Sequence, residues 1–263
     1  MVCKLVYSVK QHTKRAFCSK RFWIAVFITA ILTILDYLPI FLMGINTVNN
    51  VTYYAYDILN TILFSGQSIF LGVTFITAVL PYAGSYCEDE SNNMIIPMIK
   101  RSTPAGYAAG VVIACALSSY FCVFFSQLLA SCFFGIFVPF DNGMPDEQYL
   151  LFREGKKHLF YFLNISLYSL RGTFFGIFSL AISTIVKNRY VIYASPFILY
   201  YFLMRFGYTV LDIPSYLNIR GVYFGFVFGN EKELLSVAYS FAFTICIMCL
   251  AGKWISFWLR RNV

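Results

Sequence analysis

Long apolar segments are the feature of this sequence that most restricts its fold. Six of them occupy residues 22–45, 58–82, 105–138, 158–186, 190–208 and 234–257. A hydrocarbon core about 30 Å thick needs about 20 apolar residues in each helical crossing, and these segments have roughly that length or more. Only 12% of the residues are charged, whereas a soluble domain carries roughly 25%. The sequence therefore predicts an all-α integral membrane protein whose residues 1–263 form a single transmembrane domain.

Basic residues mark one side of the predicted membrane domain. Residues 2–21 carry six basic residues and no acid, and further basic residues follow the fourth and sixth apolar segments. Cytoplasmic loops are enriched in lysine and arginine, so the pattern predicts six spans with both termini in the cytoplasm. The net charge of +8 is then an orientation signal and does not indicate nucleic-acid binding. The expected location is the plasma membrane, as a multi-pass protein of a bacterium.

Residues 2–21 are predicted to form an amphipathic helix. Their apolar residues recur at three- and four-residue steps and so line one helical face, while the remaining residues are mostly polar or basic. Such a helix lies on the inner membrane surface. A cleaved signal peptide is the competing interpretation, but the charged region is too long and no small-residue cleavage site follows the apolar run.

Two segments interrupt the apolar pattern. Residues 83–104 form a polar loop on the predicted cytoplasmic side, where a membrane protein can meet a soluble partner. Residues 209–233 are too apolar for an ordinary loop, yet Pro214 and spaced glycines break them. Non-helical backbone at membrane depth persists only when it is buried in protein or lines a cavity, so short re-entrant or surface-lying helices are expected there.

Interior charges are the candidate binding residues. Arg171 falls midway along the fourth span and Arg205 in the outer part of the fifth, where an unpaired charge costs a few kcal/mol. Both could face a polar substrate cavity together with Asp36 of the first span. Alternatively, Arg171 forms a structural pair with Asp36, and Arg205 extends to the outer membrane interface.

Catalytic motifs are missing from the sequence. It contains no phosphate-binding loop of the GxxxxGK[ST] type, no HExxH and no nucleophile elbow, so we expect no enzymatic activity and no cofactor bound by this chain. Cys246 and Cys249 have CxxC spacing but lie inside the sixth span, where cysteine acts as a small packing residue. We expect neither a metal site nor a disulfide among the eight cysteines. Glycines four residues apart, as at Gly106 and Gly110, allow close helix packing within the chain or between copies.

The loop and the six-span plan together resemble the ABC-2 type permease family, which forms the membrane halves of ABC exporters. In that family an acidic position, a small-residue pair and a basic-serine step lead into the third span. The matching residues here are Glu88, Asp89 and Glu90, then Asn92 and Asn93, then Lys100, Arg101 and Ser102, followed by the aromatic Tyr107. The sequence departs from the family where Asn93 replaces a glycine and where Gly110 stands near a common lysine position. Asparagine tolerates the left-handed backbone that glycine provides.

The resemblance implies a transport function. The loop 83–104 would be a coupling helix that docks on a separate ATPase subunit, present in two copies and holding ATP and magnesium. Residues 2–21 would be an elbow helix, and residues 209–233 an external gate. A second permease subunit, identical or similar, would complete the pathway for a peptide, drug or lipid-like substrate. The alternatives from other classes are a non-transporting membrane scaffold or immunity protein and, more remotely, a membrane-embedded enzyme.

Overall fold

The computed structural model describes residues 2–46, 69–137, 150–209, 214, 216, 218–223, 227–229 and 232–262. All regular secondary structure in these residues is α-helical. The helices are α1 (Val2–Phe17), α2 (Lys20–Asn46), α3 (Ile69–Val79), α4 (Ser85–Ser91), α5 (Ile95–Arg101), α6 (Pro104–Phe137), α7 (Leu150–Arg153), α8 (Lys157–Ser183), α9 (Arg189–Thr209), α10 (Ile219–Tyr223) and α11 (Glu233–Asn262). The predicted all-α class is confirmed.

Within the described residues, three helices are long and apolar enough to cross a membrane, namely α6, α8 and α11. A fourth crossing is obtained if α1 and α2 are taken together, although they meet at a 53° bend. The chain is therefore a membrane-embedded helical protein with three or four helices of spanning character. α9, which covers the predicted fifth span, is not among them, and the predicted second span is described only from Ile69 onward.

Several helix ends differ from the predicted span ends. α3 stops at Val79 and is followed by turns through residue 84, because Pro81 cannot donate a backbone hydrogen bond to extend it. α8 stops at Ser183, before the predicted end at residue 186, whereas α11 continues beyond residue 257. α6 runs through Gly135 to Phe137 as one continuous helix. Residues 47–57 and 139–149 between the predicted spans, and 11 of the 25 residues of the predicted gate segment 209–233, lie outside the described residues.

α6 is the central helix of the bundle and packs against α1, α2, α8 and α11. α8 is largely buried, and its small residues meet α6 closely. A Cβ atom added at Gly172 would lie 2.6 Å from Val123 Cγ2, and one at Gly176 would lie 3.0 Å from Ser119 Cβ. Close backbone approach through small residues is the usual way in which membrane helices associate. This glycine pair therefore packs within the chain. α11, in contrast, is mostly exposed.

Candidate functional site

The polar loop 83–104 folds into two short helices joined by a tight turn. Asn93 follows the end of α4 with a φ of 53°, in the left-handed region that its side chain tolerates. The Asn93 N–H donates to the Glu90 carbonyl at 3.0 Å, and the Met94 N–H donates to the Asp89 carbonyl at 2.8 Å. These are the two hydrogen bonds of a Schellman motif. Asn93 therefore supplies the turn that a glycine would otherwise provide.

Asp89 of α4 points into the protein and is 1% exposed. Its carboxylate accepts hydrogen bonds from the guanidinium of Arg15 in α1 and from the hydroxyl of Tyr107 in α6, the latter at 2.8 Å. A buried carboxylate requires such partners, because removing one of them leaves an uncompensated charge. Asp89 thus joins α4 to both α1 and α6.

The other two acids of α4 are paired with basic residues from distant parts of the chain. Their partners come from α1, from the start of α2, from the turn after α8 and from the start of α9. The pairs are Arg21–Glu88, Arg15–Glu88 (Nη2–Oε2 3.7 Å), Arg189–Glu88 (Nη1–Oε1 3.6 Å) and Lys187–Glu90 (Nζ–Oε1 2.9 Å). Sequence reasoning did not assign any of these basic residues to the site. The sequence signal that could have indicated such partners is the run of three consecutive acids close to a membrane, because these acids need cations beside them.

His12 of α1 belongs to the same buried group, although in the sequence it looks isolated. It is 3% exposed, its Nδ1 lies 2.6 Å from the Tyr82 hydroxyl, and its ring packs edge-on against Tyr107 with centroids 5.1 Å apart. Burial lowers the pKa of His12 to about 4, outweighing the nearby carboxylate of Asp89. At neutral pH the imidazole is therefore uncharged, and a hydrogen bond joins its Nδ1 to the Tyr82 hydroxyl.

α5 faces outward, unlike α4. Met94 and Ile96 are 50% and 53% exposed, which is unusual for apolar residues beside a charged loop. Pro97, Lys100 and Arg101 are exposed with them. We call these five residues the α5 surface. It combines apolar and basic groups at the end of the bundle where α4 is anchored.

The predicted partner-contacting residues therefore fall into two groups. Asn93, Lys100 and Arg101 are exposed, as a contact with another protein requires. The three acids of α4 are occupied by ion pairs within the chain. Ser102 is also buried, at 7% exposure, and its hydroxyl donates to the Met98 carbonyl at 2.9 Å, so it completes the end of α5.

Gly110 of α6 lies directly beneath α1. A Cβ atom added there would meet Ser8 Oγ at 2.6 Å and His12 Cδ2 at 2.9 Å. A lysine at this position would push α1 off α6, because even its first side-chain carbon does not fit. The packing of α1 therefore explains why position 110 holds a glycine and not a lysine.

Arg171 lies deep in the bundle and is 2% exposed. Its Nε donates to the carbonyl of Tyr223, the last residue of α10, and its guanidinium sits over the Tyr168 ring at 4.7 Å from the centroid. Cations interact favourably with helix C-terminal carbonyls and with aromatic faces. The Tyr223 hydroxyl in turn lies 2.9 Å from Thr244 Oγ1 of α11. Arg171 thus fastens α10 to the bundle.

Asp36 shares this neighbourhood, since Asp36 and Arg171 both act electrostatically on Tyr168. The structure therefore places these two predicted residues in one region of the bundle. Arg205 belongs to α9, and its side chain lies outside the described residues.

No family model, curated protein or solved structure matches this chain. The charged end of the bundle and the Arg171 region are two places where polar groups from several helices converge. Of these, the charged end also presents an exposed surface.

Proposed function

We propose that this chain is the permease subunit of an ABC exporter. Six spans hold both termini in the cytoplasm of a bacterial cell, and α1 lies on the inner surface of the plasma membrane as an elbow helix. A separate ATPase subunit, in two copies, hydrolyses ATP. A second permease subunit completes the pathway for a peptide, drug or lipid-like substrate.

The observation that carries the proposal is the rigid two-helix loop 83–104, in which α4 is anchored to the bundle and α5 presents an exposed surface. A coupling element must present a surface to its ATPase and must also transmit displacement instead of absorbing it. α5 supplies the surface. α4 supplies the rigidity, because Asp89 and Glu88 tie it to α1, α2 and the turn after α8.

α8 offers a path for that displacement across the membrane. Its cytoplasmic end leads into the turn that pairs with α4 through Lys187 and Arg189. Its middle carries Arg171, which holds the C-terminal end of α10 in the proposed gate. Within α8, Arg171 and Ser183 are separated by about 18 Å at the helical rise of 1.5 Å per residue, and Lys187 lies in the turn just beyond. A shift of the loop would thus reach the gate through one stiff helix.

Gly110 does not argue against coupling. The family commonly has a lysine near this position, but here α1 occupies the space that a lysine would need. The contact surface for the ATPase is α5 itself, which α1 leaves exposed.

Co-purification tests the proposal. A tagged wild-type chain, expressed with the proteins of its own membrane, should retain an ATPase subunit. Ile96→Asp and Arg101→Glu should reduce that subunit at least tenfold without lowering the amount of folded permease. Lys14→Glu is the matched control, because Lys14 is exposed on α1 and lies outside the α5 surface. If no ATPase accompanies the wild-type chain, the scaffold or immunity protein is the better interpretation.

A further inference from the structure

A groove of about 710 Å³ runs between the start of α6 and the second half of α11. One wall consists of small and apolar residues of α6, including Ala105, Ala109 and Ile113. The other wall is one face of α11, on which Met248 and Gly252 lie at four-residue spacing. The volume lies within the range of about 300–1,000 Å³ that is usual for ligand sites.

Two basic residues, Lys253 and Arg260, line the same groove. They stand seven positions apart, so they share a face of α11 at a separation of about 10 Å along its axis. Among the described side chains, no carboxylate forms an ion pair with either of them, since the acids of α4 are held by other bases. The groove therefore offers an apolar floor with two available positive charges, one near the middle of the α11 wall and one at its C-terminal end.

Tryptophans locate this end of α11 at a membrane interface. The Trp254 indole N–H donates to Thr184 Oγ1 at 3.2 Å, just beyond the end of α8, and Trp254 stacks with Trp258 at a centroid distance of 6.4 Å. Tryptophan is enriched where hydrocarbon meets headgroups. The helical face from Ile245 to Arg260 extends over about 22 Å, which reaches from the headgroups into the core of one leaflet.

We propose that this groove binds an anionic phospholipid of the adjoining leaflet. The headgroup phosphate lies between Lys253 and Arg260, and an acyl chain follows Ala109, Met248 and Gly252. Charge complementarity favours this occupant over a zwitterionic lipid, because basic pockets between membrane helices select anionic headgroups. A second copy of the chain fits less well, because it would place the same two positive charges against an apolar floor. The site does not depend on transport or on an ATPase.

Native mass spectrometry of the full chain in detergent tests the site. The protein is incubated with an equimolar mixture of phosphatidylglycerol and phosphatidylcholine, and the first bound lipid is identified. Wild type should prefer phosphatidylglycerol. Each basic residue near a headgroup contributes about fivefold in affinity, so the double variant Lys253→Gln/Arg260→Gln should lose the preference by roughly 30-fold. The charge-matched control Lys14→Gln/Arg261→Gln should retain it, because neither residue lines the groove.

Gly252→Leu tests the groove without changing its charge. A Cβ atom at Gly252 meets no atom within 4 Å, so the leucine fills the groove and leaves the fold intact. Occupancy by phosphatidylglycerol should fall, with an unchanged melting temperature and an unchanged oligomeric mass. Equal lipid preference in wild type and all variants would overturn the proposal as adventitious binding. A Gly252→Leu variant that alters the oligomeric mass but not lipid binding would assign the groove to a second copy of the chain.

Discussion

α4 and α5 are adjacent helices of seven residues each in one loop, yet they have opposite roles in the structure. The acids of α4 are turned inward and paired with bases from three other parts of the chain. Ile95 of α5 packs in the core, but the five residues of the α5 surface are exposed. A short polar loop can therefore contain both its own anchor and its own binding surface, and charge alone does not distinguish the two.

The largest effect is expected from removing the anchor. Asp89→Ala leaves Arg15 without its closest partner and Tyr107 without an acceptor, so the free energy of unfolding should fall by about 3 kcal/mol. Part of the Arg15 side chain is exposed, which keeps the loss at the lower end for a broken buried pair. Thermal unfolding in detergent measures it. The control is Glu90→Ala, whose partner Lys187 lies in solvent; equal losses in the two variants would contradict an anchor at Asp89.

Lowering the pH should weaken the same Asp89 anchor, because it favours protonation of His12. The pKa of His12 is about 4 in the folded protein and about 6.5 when unfolded, so the unfolded state binds more protons between these values. Stability contributed by the neutral ring is present above about pH 6.5 and is lost as the pH falls toward about 4, on the order of 3 kcal/mol in total.

The measurement is the melting temperature as a function of pH for wild type and His12→Gln. Glutamine cannot titrate, so the wild-type curve should fall more steeply than the variant curve below about pH 6.5. Parallel curves across this window would show that His12 does not couple protonation to the packing of α1.

Gly110→Val tests the packing of α1 against α6 on which the anchor depends. The added Cβ approaches Ser8 and His12 at less than 3 Å, so the expected cost is about 1–3 kcal/mol, as for other overpacked sites. Gly252→Val is the matched control in α11, because space is open there. Chemical denaturation of both variants provides the comparison, and a similar loss for both would mean that helix propensity, not the contact with α1, sets the cost.

The all-α class and the long helices α6, α8 and α11 were predictable from the sequence, but the separate roles of α4 and α5 were not. Segment length and hydropathy located α6, α8 and α11 because spanning helices are long and locally encoded. The tolerance of Asn93 for a left-handed backbone also follows from that residue alone. The orientation of α4 depends on partners that are distant in the sequence, as with Cys87 and Lys187, which are 100 positions apart and whose thiol and carbonyl lie 3.1 Å apart. His12 looked isolated for the same reason, since Tyr82 and Tyr107 are distant in the sequence.

The smallest effect on stability is expected at the α5 surface, where neighbouring isoleucines separate burial from exposure. Ile96 is 53% exposed, so Ile96→Ala should change the free energy of unfolding by no more than about 0.5 kcal/mol. Ile95 is 5% exposed and packs in the core, so Ile95→Ala should cost about 2–4 kcal/mol. Denaturant titration distinguishes them. A large loss of stability for Ile96→Ala would show that the Ile96 side chain is buried, and the contrast with Ile95 would then be wrong. A near-zero loss leaves Ile96 available for a partner.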